Sequence, residues 1–128
     1  MNETTNSLNW FEIPVVDMGR AQKFYETVFE INMFPLPITG FEMVAFPSEP
    51  GNGKVSGALM KHEMYQPAAT SGVVIYLNAD PDIQRVIDRI EPSGGQILIP
   101  KTQITEEIGY MAFFIDTEGN RVALHARA

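Results

Sequence analysis

Asp17-Met18-Gly19-Arg20-Ala21-Gln22-Lys23-Phe24-Tyr25-Glu26-Thr27-Val28-Phe29 is the stretch that decides the fold. Met18, Ala21, Tyr25, Val28 and Phe29 recur at helical spacing with Gln22, Lys23 and Glu26 between them, and Asp17 supplies an N-cap. The same design returns 65 residues later, where Asp82 precedes a stripe of Ile83, Val86, Ile87 and Ile90. Met18 then matches Ile83, Arg20 matches Arg85, Ala21 matches Val86 and Tyr25 matches Ile90. Pro35 and Pro100 each follow their capping aspartate by eighteen residues. A period of half the chain points to an internal duplication.

A β-like run precedes each helix, Asn9 to Val16 and Gly72 to Ala79, and three more follow it. In the first half these are Ile31 to Leu36, Phe41 to Phe46 and Lys54 to Lys61. In the second they are Gln96 to Pro100, Tyr110 to Ile115 and Asn120 to His125. Ile38-Thr39-Gly40, Pro50-Gly51-Asn52-Gly53 and Asp116-Thr117-Glu118-Gly119-Asn120 carry turn chemistry between them, and Pro92 with Gly94-Gly95 closes the second helix. The expected fold is α+β: tandem βαβββ repeats, about 8–62 and 71–127, in one domain spanning 1–128. They form a curled, cup-shaped mixed sheet with flanking helices and a ligand surface between the halves.

Composition narrows the functional classes. Sixteen acidic against nine basic residues give a net charge of −7, and the scattered basic residues form no nucleic-acid footprint. No apolar run approaches the ~20 residues that cross a bilayer, so no membrane partner is expected. The polar opening Met1 to Asn9 lacks the form of a secretory signal, and a cytoplasmic location is the expectation. With no cysteine there is no disulfide, thiolate metal site or thiol nucleophile.

Trp10-Phe11-Glu12-Ile13-Pro14-Val15-Val16-Asp17, then Arg20-Ala21 and Phe24-Tyr25, resembles the opening strand and helix of the vicinal oxygen chelate superfamily, which includes glyoxalase I, bleomycin-resistance proteins and extradiol dioxygenases. Asp116-Thr117-Glu118-Gly119-Asn120 with Leu124 resembles the terminal turn and strand of that family, and Ile90-Glu91, Gly94-Gly95 and Pro100-Lys101 fit its middle. The resemblance implies a divalent metal held by His, Glu or Gln that binds vicinal substrate oxygens. Carried over residue by residue, the four ligand positions fall on Trp10, about Val74, Ala123, and Gly57 or Ala58, none of which can bind a metal. The cofactor expectation is therefore none.

Strand alternation puts Trp10, Glu12 and Pro14 on one face and Phe11, Ile13 and Val15 on the other. Trp10 either stacks a flat ligand or fills the space of a lost metal. Glu12 acts as a general base, pairs with a cation, caps a neighbouring strand or pairs with an Arg. Tyr76 and Asn78 share a face with Val74 and either orient a polar ligand or line a dimer interface. His125 shares a face with Ala123 and reaches the cavity rim as an acid or base, or is merely exposed. Trp10, Glu12, Tyr76, Asn78 and His125 are the ligand-binding candidates, with Glu12 and His125 the catalytic ones. His62 reads as a solvated loop residue, and Lys101 as an anion contact or a strand-end cap. Met33, Met43, Met60 and Met111 read as an adaptable apolar wall, mostly core. The functional expectation is a homodimer that binds a small molecule without the family's metal, by sequestration or by metal-independent catalysis. The alternative is a metal enzyme of lactoylglutathione-lyase or dioxygenase type with displaced ligands.

Overall fold

The computed structural model describes residues 1–128, the whole chain. Strands β1 (Trp10–Pro14), β2 (Phe34–Leu36), β3 (Glu42–Ala45) and β4 (Ser56–Lys61) surround helix α1 (Met18–Phe29) in sequence. Strands β5 (Tyr76–Asn78), β6 (Gln96–Thr105), β7 (Gly109–Ile115) and β8 (Arg121–Ala126) surround α2 (Ile83–Ile90) in the same order. The sheets run β1-β4-β3-β2 and β5-β8-β7-β6, so the duplication expected from the sequence is a duplication of topology. In each, the first strand lies parallel to the last and the remaining pairs are antiparallel. No helix is long and apolar enough to cross a membrane.

Both helices begin where the sequence places their caps. The Asp17 side chain accepts from the Arg20 backbone N–H at 3.0 Å, and the Asp82 side chain accepts from that of Gln84 at 3.0 Å. The stripe of α2 is wholly buried, whereas in α1 Phe24 is buried and Phe29 only partly so. Glu30, in the left-handed region at φ 54°, ends α1, and Arg89 of α2 donates to the Val28 carbonyl oxygen at 2.7 Å. A 3-10 turn, Glu91–Ser93, takes up Pro92 and closes on Gly94.

One core joins the halves. Ile13 and Leu59 from the first sheet, and Leu77, Phe114 and Leu124 from the second, pack with both helix stripes in a single apolar cluster. Each such side chain contributes about 1.5–3 kcal/mol on burial. The faces turned away from that core are separate. On the first sheet Met43, Ala45, Ala58 and Met60 form a second small cluster against Leu36 and Tyr65. On the second sheet Tyr76, Ala123 and Phe113 stand in adjacent register, as do Asn78, His125 and Met111. The fold class and the repeat are as expected.

The first-half strands are trimmed at their ends, and the largest departures from the sequence reading are in β5 and β6. β5 is shorter than the run Gly72 to Ala79, because Gly72 and Val73 stand out in solvent and the pairing begins with the Ile75 carbonyl oxygen, which accepts from the Ala123 N–H at 3.0 Å. β6 runs past Pro100 to Thr105, with register shifts between Ile97 and Ile99 and between Ile99 and Thr102. An edge strand tolerates a proline at such an irregularity because no ladder hydrogen bond is required there.

Candidate functional site

β1 is the edge of its sheet, and its register against β4 sets Glu12 beside Ala58 and Trp10 beside Ser56. Glu12 lies on the open face, as alternation predicts, and the chain supplies it with two donors. The Trp10 indole N–H donates to Glu12 Oε2 at 3.3 Å, and the Tyr65 hydroxyl donates to Oε1 at 2.6 Å. The carboxylate in turn raises the Tyr65 hydroxyl above the usual phenol range, chiefly through that hydrogen bond. Glu12 forms no ion pair with an arginine and caps no strand: it is the centre of an aromatic carboxylate cluster.

Trp10 and Glu12 line a cleft of about 370 Å³ between the β1 edge, the connection between the halves and the start of β8, where Gln66, Ser71 and Arg121 complete the polar part of the wall. Asn120 fixes this corner. Its amide nitrogen donates to the Pro14 carbonyl oxygen at 2.7 Å while its Oδ1 accepts from the Ala68 N–H at 3.3 Å, tying β1, the connection and β8 together. Arg121 donates through Nη2 to the Gly72 carbonyl oxygen at 3.3 Å, and its buried Nε–H has no acceptor. A buried donor left without a partner costs about 1–3 kcal/mol.

The other three candidates lie elsewhere. Tyr76, Asn78 and His125 line a second cleft of about 460 Å³ on the open face of the other sheet, and neither cleft contains both groups. The Tyr76 ring meets Phe113 edge-on at 5.9 Å, and Asn78 accepts from the Asp80 N–H at 2.8 Å. His125 Nε2 lies 2.8 Å from the Ile108 carbonyl oxygen. Since a carbonyl only accepts, that nitrogen carries the proton, leaving Nδ1 as the free acceptor in the neutral ring. Tyr76 and Asn78 also border an apolar cleft of about 540 Å³ walled by Phe11, Phe29 and Phe46.

Several residues resolve into structural roles. His62 lies in the loop after β4, half-buried, where it packs on Phe41 at 5.1 Å and accepts from the Met64 N–H at 3.1 Å. Lys101 Nζ sits 4.4 Å from the Tyr110 ring centre, a cation–π contact in place of an anion contact or a cap. Met33, Met43 and Met60 are buried. Sequence reasoning missed Tyr65, Gln66, Ser71 and Arg121, which reach the cleft through long-range packing and carry no local motif.

The positions to which the resemblance assigns metal ligands fall on both sheets. Ala58 is next to Glu12, and Ala123 is next to Tyr76, at matching places in the two sheets. Gly57 turns to the core, where an added Cβ runs into the Phe11 ring and carbonyl oxygen. None of these side chains, nor Trp10 or Val74, offers a donor atom to a cation, and nowhere do three His, Cys, Asp or Glu side chains converge. The donor set does not fit a divalent metal.

Comparison with known proteins agrees with this architecture. Residues 7–124 match the model of the Glyoxalase/Bleomycin resistance protein/Dioxygenase superfamily. A glyoxylase-like domain-containing protein of Didymella fabae is 30% identical over 124 residues, covering 94% of this chain and 93% of that one. CFP32 of Mycobacterium bovis, which carries a glyoxylase name, is 29% identical over 125 residues, and the matched part is 91% of this chain but only 44% of CFP32. Among solved structures, a glyoxalase/bleomycin resistance protein from Albidiferax ferrireducens superposes with a TM-score of 0.70 at 16% identity, covering 96% of this chain and all of that one, 100%. TnmS3 from Streptomyces sp. CB03234, described as an antibiotic binding protein, superposes with a TM-score of 0.68 at 21% identity over 99% of this chain and 100% of its own. With a family model matched along nearly its whole length, the chain belongs to the glyoxalase/bleomycin resistance protein/dioxygenase superfamily.

Proposed function

We propose that this protein binds a small planar molecule in the cleft beside β1, with the Trp10 indole as stacking surface and Glu12 as acceptor, and without a resident divalent metal. The observation that carries the reading is the fixed Glu12 carboxylate, held by Trp10 and Tyr65 inside a cleft of ligand size. Binding without chemistry is the simplest use of a scaffold whose metal-ligand positions carry no donors, and TnmS3, a structural relative, is described as binding an antibiotic. Tyr76, Asn78 and His125 complete the site from a second copy in a homodimer, the open face of one sheet closing on the open face of the other. In that arrangement His125 Nδ1 and the Asn78 amide nitrogen face the ligand from the far wall.

Trp10 is the only tryptophan, so its indole N–H gives a single, self-assigned nuclear magnetic resonance signal inside the cleft. Titration with 2-naphthol is expected to shift that signal saturably, equally with and without EDTA, and Glu12→Gln weakens binding about tenfold, the worth of a hydrogen bond to a charged group. Near-stoichiometric metal after equilibration with zinc, nickel, manganese and iron and desalting overturns the metal-free part. An unmoved indole signal overturns the site.

A further inference from the structure

The cleft holds one acidic and one basic side chain, Glu12 and Arg121, and they are in opposite states of satisfaction. Both Glu12 oxygens accept a hydrogen bond from within the chain, from Trp10 and from Tyr65. Arg121 has five N–H donors and a single accepted bond, to the Gly72 carbonyl oxygen at the long distance of 3.3 Å, while its buried Nε–H meets no acceptor. Nor do the two neutralise each other. The ion pairs of the fold are Arg20 with Glu118 and Arg89 with Glu30, and Arg121 belongs to neither. The Nε–H is closed to solvent, and of the four terminal N–H groups only one is accepted from within the chain, so the guanidinium keeps donors for an outside oxygen.

We propose that the cleft selects a ligand bearing an oxyanion, a carboxylate or comparably charged oxygen, that pairs with the Arg121 guanidinium while its planar body lies on Trp10. This inference rests on the small-molecule reading above and names the ligand class. A guanidinium presents its donors in a fork that matches a carboxylate edge, which a single carbonyl oxygen leaves largely unused. Gly72, whose carbonyl oxygen the guanidinium meets, and Ser71 on the same cleft are exposed and carry no bulky side chain. The proposal runs against the chain's overall field. A net charge of −7 predicts a preference for cations, so selection of an anion requires a local cation in the site.

The test uses 2-naphthoate and its neutral counterpart 2-naphthamide, of equal shape, each titrated into the full chain while the Trp10 indole N–H and Arg121 Nε–H signals are followed. Naphthoate is expected to bind at least tenfold more tightly than naphthamide, and only naphthoate moves the Arg121 signal downfield. In Arg121→Gln naphthoate affinity falls at least tenfold and the preference disappears, while the circular dichroism spectrum stays that of the parent, which shows that the fold is intact. Arg121→Lys keeps part of the preference. Equal affinities in the parent protein, or a preference that survives Arg121→Gln, overturn the oxyanion proposal and leave the binding site standing. If neither compound moves the indole signal, the site itself fails and the proposal with it.

Discussion

Glu118 shows how one side chain in the closing turn can govern the fit of both halves. Its Oε1 accepts from the backbone N–H groups of Val16 at 2.8 Å and Asp17 at 2.7 Å, and its carboxylate pairs with Arg20 at 2.7 Å. The second half thus caps the first helix of the first half. Burial pushes the Glu118 carboxyl up, but Arg20 and the two backbone donors outweigh it and hold the group at about 2, against an ordinary 4.5. A carboxyl depressed on folding stabilises the native state above its unfolded value, so that contribution is complete above about pH 4.5 and is lost as pH falls toward 2. Neighbouring Asp116 acts in the opposite sense. Burial raises its carboxyl despite donors from Tyr25 and Asn120, so its protonation favours the folded chain as pH falls. Glu118→Gln should therefore cost about 2 kcal/mol at pH 7 in urea unfolding, as a lost charged hydrogen-bond partner does, and should flatten the decline of stability between pH 4.5 and 3. An unchanged acid limb would locate that decline elsewhere. At the same scale, Tyr65→Phe should leave the urea midpoint almost unmoved and shift the Trp10 indole signal, because it frees one oxygen of Glu12. The sequence disclosed Trp10 and Glu12 because strand alternation assigns a face without knowledge of partners. It did not disclose Tyr65, 53 residues from Glu12, because no local period encodes a contact across that span.

At the scale of elements, both helices and all eight strands were legible, since hydrophobic period, aspartate caps and turn residues agree with one another in each half. What escaped were properties set by neighbours. The stripe of α1 was drawn through Phe29, yet Phe24 is the ring that packs against Phe114, at 6.0 Å between centroids, because the second sheet covers that side of the helix. β6 was cut at Pro100, because only its place at the sheet edge shows that a proline is harmless there. The β1–β4 pair offers a test. Gly57 faces the core directly beneath Phe11, and a Cβ there meets both the ring and the carbonyl oxygen of that residue. Gly57→Ala should lower stability by about 1–3 kcal/mol in urea unfolding, the usual penalty for overpacking a core. It should also shift the Trp10 indole signal, because Phe11 cannot move without moving the strand that carries the cleft. A variant as stable as the parent would mean that β1 yields freely and does not hold Glu12 in place.

For the whole molecule, the decisive feature is that two open sheet faces lie outside one shared core. The candidate residues of the sequence reading divide between them, Trp10 and Glu12 on one and Tyr76, Asn78 and His125 on the other, so a single chain carries them in two separate clefts. Sequence alone cannot reveal this, because alternation says which residues share a strand face and nothing about which sheets face each other. The second sheet also ends in an uncovered edge. β6 is ten residues long, and Leu98 and Ile99 remain 44% and 37% exposed with Ile104 at 41%. Pro100 and Lys101 guard the backbone of this edge, so what invites cover by another chain is its exposed apolar side chains. On the proposed reading, a symmetric pair would cover the exposed side chains of β6 and bring each first-sheet cleft to a second-sheet one. Light scattering on the eluting protein should give about 29 kDa, twice the 14.3 kDa of one chain. Ile99→Lys places a charge on the uncovered face without entering the core, and it should return the mass to that of a single chain with an unchanged circular dichroism spectrum. If the parent is already monomeric and still binds 2-naphthol, the cleft beside β1 is sufficient by itself. A dimer that persists in Ile99→Lys would mean that the copies meet through some other surface than the β6 face.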